Sequence, residues 1–288
     1  MPDVSEITGS AITVEEAKEK AHTWRVLVYG NPGTAKTHFC YTMPEPVCII
    51  DTEQKAHDIA HKFDDKEVFI WEVSDYTEAT HALDEALKVL RKYYEEEDVL
   101  GTLAVDSMSL MWDWAQTRHA EMAYPGRNPH EVDFGSKLQG EDDWQMIKQL
   151  HNEEFREVMV NSPFHLCWTA ASYDDYGEVL TGDASEPPNK PRGENDNQHK
   201  CTEMLHMFEG PDGVPHANLK KAAKPKHRFG LLRFPTFDKV SEIIEDIDEA
   251  EQSDEDIPVS EITDQEVDIV EGDPDVLYRQ SEEDEEDD

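Results

Sequence analysis

The plainest chemistry in this chain sits between Trp24 and Thr37. An apolar, β-branched run at 25–29 leads straight into Gly30-Asn31-Pro32-Gly33-Thr34-Ala35-Lys36-Thr37. Gly30 and Gly33 let the backbone curl so that several N–H groups face one anion. Lys36 supplies a point charge for the outer phosphates of a nucleotide, and the Thr37 hydroxyl can ligate Mg²⁺. A helix starting here aims its positive end at the same spot. The pattern is that of a phosphate-binding loop; the plainer alternative is a Gly-Pro turn beside an exposed lysine. Ala35 stands where such loops usually carry glycine.

Two acids and a hydroxyl are spaced to act on what that loop holds. The apolar stretch 47–50 runs into Asp51-Thr52-Glu53. A carboxylate just past the end of a parallel strand lies at the ligand-binding edge of the sheet. From there Glu53 can orient and deprotonate a water for attack on a γ-phosphate. The run 99–105 delivers Asp106, which can hold Mg²⁺ opposite the Thr37 hydroxyl. The run 164–169 ends at Thr169, whose hydroxyl can touch the γ-phosphate or the attacking water and sense its loss. Each residue has a bland alternative: a solvated acid for Glu53, a helix cap at Asp106 or Ser107, an ordinary strand residue for Thr169.

These residues need elements to position them. Strand signals fall at 25–29, 47–50, 67–73, 99–105 and 164–169, with two further pieces near 203–208 and 228–234 expected as edge strands. Helical spacing lies between them. Ala79, Ala82, Leu83, Ala86, Leu87 and Leu90 share one face, as do Trp144, Ile147, His151, Phe155 and Val158. Strands alternating with helices predict an α/β fold with a mainly parallel central sheet flanked by helices. Segments 123–143 and 172–200, rich in Gly, Pro, Asn and Asp, read as long loops. The expected organisation is an N-terminal extension at 1–22, one ATPase domain at 23–238, and an acidic, disordered tail at 239–288.

Composition narrows the setting. The 288 residues carry 66 acids against 26 Lys and Arg, a net charge of −40. Residues 241–288 hold 23 of the acids and a single base, Arg279. Such a tail is a solvating or partner-binding segment. Acid also coats the remainder, and an acid-coated domain suits very high salt, which screens self-repulsion. The chain therefore reads as that of a halophile or a virus of one. No run approaches 18 apolar residues and no signal peptide opens the chain, so no membrane association and a cytoplasmic location are expected. The four cysteines form no C-x-x-C pair and read as buried thiols. The histidines show no H-E-x-x-H arrangement, so no transition-metal site is expected. Val-Ser-Glu-Ile occurs at 4–7, 240–243 and 259–262, as a short binding motif or by chance recurrence.

The order of these motifs resembles the RecA-like P-loop ATPases. GNPGTAKT is similar to their Walker A loop, IIDTE to the strand bearing their catalytic glutamate, and LAVDS to their Walker B strand. The phrase PVCIIDTEQ soon after the loop looks most like phage-type members linked to single-strand annealing and recombination. The resemblance covers about residues 23–238. It implies ATP and Mg²⁺, single-stranded DNA as a partner, and assembly into a homo-oligomer. The form G-x-P-G-x-A-K-[ST] is also similar to the loop of replicative helicases of the AAA+ class. Those proteins place a glutamate directly after the Walker B aspartate, whereas Ser107 follows Asp106 here, which favours the RecA-like arrangement.

One basic cluster stands against the acid: Lys220, Lys221, Lys224, Lys226 and Arg228. It reads as a patch for single-stranded DNA with Phe229 as a stacking face, as a solvated turn around Pro225, or, by resemblance to RecA-like hexameric helicases, as a Lys226-x-Arg228 pair reaching a neighbour's ATP. The last is preferred, which makes Arg228 a catalytic residue acting in trans. The acidic tail is a candidate site for a protein partner and a competitor of DNA for this cluster. A rival to the enzyme is a nucleotide-dependent switch or viral accessory module with little turnover.

Overall fold

The computed structural model describes residues 23–134, 143–174, 189–210, 212–222 and 232–244. The N-terminal extension, the cluster members Lys224, Lys226 and Arg228, Phe229, the first and third Val-Ser-Glu-Ile copies and the tail beyond 244 lie outside them.

The protein is built on one sheet. Its strands are β1 (Arg25–Gly30), β2 (Val47–Asp51), β3 (Val68–Glu72), β4 (Thr102–Asp106), β5 (His165–Ala170), then, after a small antiparallel pair β6 (Ser172–Asp174) and β7 (Asn189–Pro191), β8 (Glu203–Glu209), β9 (Pro215–Lys221) and β10 (Leu232–Arg233). The order across the eight-stranded sheet is β10-β9-β8-β1-β5-β4-β2-β3. All pairings from β8 through β3 are parallel, and β9 runs antiparallel to both its neighbours. The expected α/β fold with a mainly parallel, helix-flanked sheet is what the chain forms.

The central strands β1, β2, β4 and β5 are buried except at Arg25, and their interiors read as apolar runs rather than alternations. Two cores result, one on each face. On one face Leu27, Tyr29, Ile50, Val105 and Trp168 pack under α3 (Tyr76–Glu97) and α4 (Met108–Ala123). On the other, Val26, Val28, Ile49 and Met207 pack against the phosphate-loop helix α1 (Lys36–Tyr41), through Phe39, Cys40 and Tyr41. A short helix α2 (His57–Ala60) follows β2.

Helix α3 starts where its caps dictate. Asp75 accepts the Glu78 N–H at 2.8 Å, and Glu78 reaches back to the Ser74 N–H at 2.9 Å. The helical face expected at 79–90 is buried at Ala79, Ala82, Leu83, Ala86, Leu87 and Leu90. The second expected helix is interrupted. It runs as α5 (Asp143–His151), a wider π turn at Asn152–Arg156 and α6 (Glu157–Val160), with Ile147, His151 and Phe155 buried but Trp144 40 % exposed.

Three expectations need correction. The 203–208 piece is not an edge strand, since β8 lies between β1 and β9. The strand before Asp106 starts at Thr102 rather than 99, because α3 runs to Glu97 and Asp98 closes it in a left-handed conformation with φ 57°. The segment from 239 does not leave the fold at once. Residues 237–244 are helical, with Phe237, Val240 and Ile243 buried against the α1 face. The Val-Ser-Glu-Ile copy at 240–243 therefore uses its apolar residues for the core.

Candidate active site

The parallel strands converge their C-terminal ends at one edge, and the predicted residues gather there. β1 ends at Gly30 and the loop 31–35 turns into α1. Gly33 has φ +85° and Ala35 φ +67°, so two left-handed residues make the curl. Gly30 is needed for a different reason. A Cβ there would stand 2.0 Å from the Met207 carbonyl oxygen of β8, so the neighbouring strand, not the curl, demands glycine. Within the loop the Thr34 hydroxyl donates to the Asn31 carbonyl at 2.9 Å. The Lys36 ammonium donates to the carbonyls of Gly30 at 2.9 Å and Asn31 at 2.8 Å. Pro32 is exposed at the tip.

Asp106 is the hub. Only 3 % exposed, it accepts the Thr37 hydroxyl at 2.6 Å through one oxygen and the Thr169 hydroxyl through the other. Strand order explains the meeting: β5 lies between β1 and β4, so a threonine on β5 borders both the loop and Asp106. Burial pushes the Asp106 carboxyl above its ordinary pKa, the two hydroxyls pull it down, and the nearby Glu53 and Asp51 charges push it up again. Lys36 is lowered, chiefly by burial, with the Asp106 and Glu53 charges opposing. Thr169 is wholly buried, and its hydroxyl is spent on Asp106.

Thr37 and Asp106 fit a hard divalent cation. They offer oxygen donors only, and a cation in front of a desolvated carboxylate would compensate the burial that raises its pKa. They are the residues that would hold Mg²⁺.

Glu53 lies in the turn after β2, with its side chain 35 % exposed and 3.7 Å from Lys55. β2 and β4 are adjacent, with Asp51 paired to Asp106, so the turn borders Asp106. The Thr52 and Glu53 N–H groups both donate to the Asp106 carbonyl, at 2.7 and 3.3 Å. The Thr52 hydroxyl accepts the Ser107 N–H at 2.6 Å and donates to the Ser107 carbonyl at 3.3 Å. Residue types did not single out Thr52 as part of the site. The only signal for it was its place between a strand-end aspartate and the glutamate.

The long segments flanking the site carry little free positive charge among the described residues. Arg192 is paired with Asp113 and Lys200 with Glu157 at 3.1 Å. Of the basic cluster, the Lys221 ammonium donates to the Gln198 carbonyl at 2.9 Å and to the Cys201 carbonyl, so it serves the fold, while Lys220 is exposed. Arg228 lies outside the described residues, and no geometry connects it to the site. No group of three or more His, Cys, Asp and Glu arranged to hold a metal occurs among the described residues, and no helix among them is long and apolar enough to cross a membrane.

Comparison with known proteins gives one positive finding. A family model described as an AAA domain matches residues 22–166, just over half the chain. The match begins beside β1 and ends inside β5, so it takes in Lys36, Thr37, Glu53 and Asp106 but neither Thr169 nor Arg228. No curated protein matches the chain. The family description supports an AAA-type P-loop fold and nucleotide binding; the finer choice of RecA-like arrangement turns on which strand carries the base. With this match over half its length, taking in the glycine-rich loop and Asp106, the chain belongs to the AAA domain family.

Proposed function

We propose that this protein binds and hydrolyses ATP in the manner of RecA-like ATPases and acts on DNA in recombination, annealing or replication. One observation carries the enzymatic part: Lys36, Thr37, Asp106 and Glu53 come from three strand ends to one edge of one sheet, with the acid that can serve as base on β2 rather than directly after Asp106. Ser107 occupies the position after Asp106 and spends its backbone on Thr52.

In this reading the N–H groups of 30–37 and the Lys36 ammonium hold the phosphates. On nucleotide binding Lys36 exchanges the two loop carbonyls it donates to for phosphate oxygens. Thr37 and Asp106 hold Mg²⁺, which when bound neutralises charge on the phosphates. Glu53 takes the proton of the attacking water. Thr169 acts through the Asp106 carboxylate it already touches. Arg228 completes the site of a neighbouring copy in a homo-oligomer.

The DNA role rests on the motif resemblance and on the residual basic segment beyond Lys220. Its test is ATP turnover in molar KCl with and without single-stranded DNA, for the full chain and for Arg228→Ala. The reading expects stimulation by DNA and loss of turnover in the variant at protein concentrations that favour assembly. Turnover indifferent to DNA defeats the DNA role, and an Arg228→Ala chain that hydrolyses at the full rate defeats the trans-acting arginine.

A further inference from the structure

The turn that carries Glu53 is under strain and heavily tied down. Gln54, next to Glu53, has φ +56° without being glycine. A residue in that conformation costs roughly 1 kcal/mol or more and persists only where its surroundings over-determine it. Here they do so through Asp51. This side chain is fully buried. One carboxylate oxygen accepts the Ala56 N–H at 2.6 Å and the other the Glu53 N–H at 3.1 Å, and the N–H groups of Gln54 and Lys55 also point to it. The carboxylate thus fills the inside of the turn 52–56 and serves the backbone donors that a left-handed residue leaves facing inward.

The far end of the turn is fixed by the phosphate-loop helix. The Tyr41 hydroxyl, at the end of α1, donates to the Ala56 carbonyl at 2.7 Å. Ala56 is therefore held from both sides, its N–H by β2 and its carbonyl by α1. The near end is fixed by Thr52 on Ser107, beside Asp106. Gln54 adds a bond from its amide to the Val73 carbonyl at 3.2 Å.

We infer that Asp51 is a positioning residue, and that with Tyr41 it forms a mount that fixes the Glu53 backbone relative to the phosphate loop and to Asp106. Asp51 is not itself the base. Its oxygens are taken by backbone donors and it is shut off from solvent, whereas Glu53 is open to it. The mount matters because proton abstraction depends on heavy-atom placement to within about 1 Å, and a loss of that order costs about 100-fold in rate. The inference rests on the reading of Glu53 as the base.

The experiment is a mutant cycle on the full chain in Asp51→Asn, Tyr41→Phe, Glu53→Gln and the two doubles with Glu53→Gln. Steady-state ATP turnover is measured beside the Kd for a non-hydrolysable ATP analogue. The expected result is a kcat fall of about tenfold to 100-fold in Asp51→Asn and a smaller fall in Tyr41→Phe, with analogue Kd within about twofold of wild type. Each double should be no slower than Glu53→Gln alone, because a misplaced base that is already absent costs nothing more. A merely structural role would lower thermal stability and nucleotide affinity together and would add to the Glu53→Gln loss. Wild-type kcat in both single variants, or full additivity with Glu53→Gln, overturns the mount. If Asp51→Asn does not fold, Tyr41→Phe decides alone. Should Glu53→Gln itself turn over at the wild-type rate, the base assignment fails and the mount with it; a slow Glu53→Gln beside wild-type Asp51→Asn and Tyr41→Phe removes only the mount.

Discussion

Ala35 shows how a residue that departs from a motif can still obey its geometry. The position requires φ near +67°, which glycine adopts freely and alanine only at a cost of roughly 1–2 kcal/mol. The chain meets that cost at the junction of loop and helix. Ala35→Gly should therefore raise stability by about 0.5–1 kcal/mol after allowing for the freedom glycine adds to the unfolded chain, read as a rise of a few degrees in the thermal midpoint. A fall would mean that the alanine methyl packs usefully enough to outweigh its backbone. His151 supplies a second residue-scale prediction. It is fully buried between Trp112 and Phe155, and burial followed by the Arg156 charge lowers its pKa to about 3 from 6.5. The unfolded chain then binds a proton that the folded chain refuses, so stability is full above pH 6.5 and declines as pH falls toward about 3. From this residue alone the decline approaches about 1.4 kcal/mol per pH unit. Urea unfolding of His151→Leu across that range should show a flatter pH dependence than wild type; parallel profiles would remove His151 as the cause.

At the scale of elements, Gly30 carries the sharpest consequence. Its Cα packs on the β8 backbone, and an added methyl would collide with the Met207 carbonyl oxygen at 2.0 Å, with the Thr34 hydroxyl a further tight neighbour at 3.0 Å. Gly30→Ala should push β1 and β8 apart and cost on the order of 3 kcal/mol, while Asn31→Ala at the exposed loop tip should cost little. Equal stability of the two variants by denaturant titration would contradict the packing argument. The same contact shows where sequence reading stops. Gly30 is legible as a loop glycine, but its steric partner lies far along the chain, on a strand that looks from sequence like an edge. β9 is faint in the sequence although Asp212-Gly213 before it is a hairpin signal, because its run Pro-His-Ala-Asn-Leu-Lys-Lys carries no β-branched residue and only one large aliphatic side chain. The central parallel strands were legible because burial on both faces leaves unbroken apolar runs. Lys36, Thr37 and Asp106 can be singled out from sequence because phosphate and cation chemistry would allow few residue types at each place. Asp51 and Thr52 were not, because a carboxylate or hydroxyl that serves backbone N–H groups looks, in so acidic a chain, like any other polar residue.

Taken whole, the molecule carries a charge of −40, and much of that acid lies at 245–288. Acids within a Debye length repel one another across the surface, and raising salt shortens that length from about 10 Å at 0.1 M to about 3 Å at 1 M. The thermal midpoint should therefore climb as KCl rises from about 0.1 M to about 2 M, and deletion of 245–288 should make the climb shallower. A midpoint independent of KCl would separate the acidity from stability. The sheet also joins the three strand ends of the site into one body: β2 and β4 are hydrogen-bonded neighbours, and β5 ties β4 to the loop strand. The turn that carries Glu53 after β2 and the Asp106 carboxylate at the end of β4 are thus fixed to each other by main chain. We propose above all that this edge hydrolyses ATP with Glu53 as the base. Its most direct test is single-turnover ATP hydrolysis by wild type and Glu53→Gln at saturating protein in molar KCl with Mg²⁺, after equal nucleotide binding has been verified. The variant should be at least about 100-fold slower; equal rates, or no hydrolysis by either, would contradict Glu53 as the base of ATP hydrolysis.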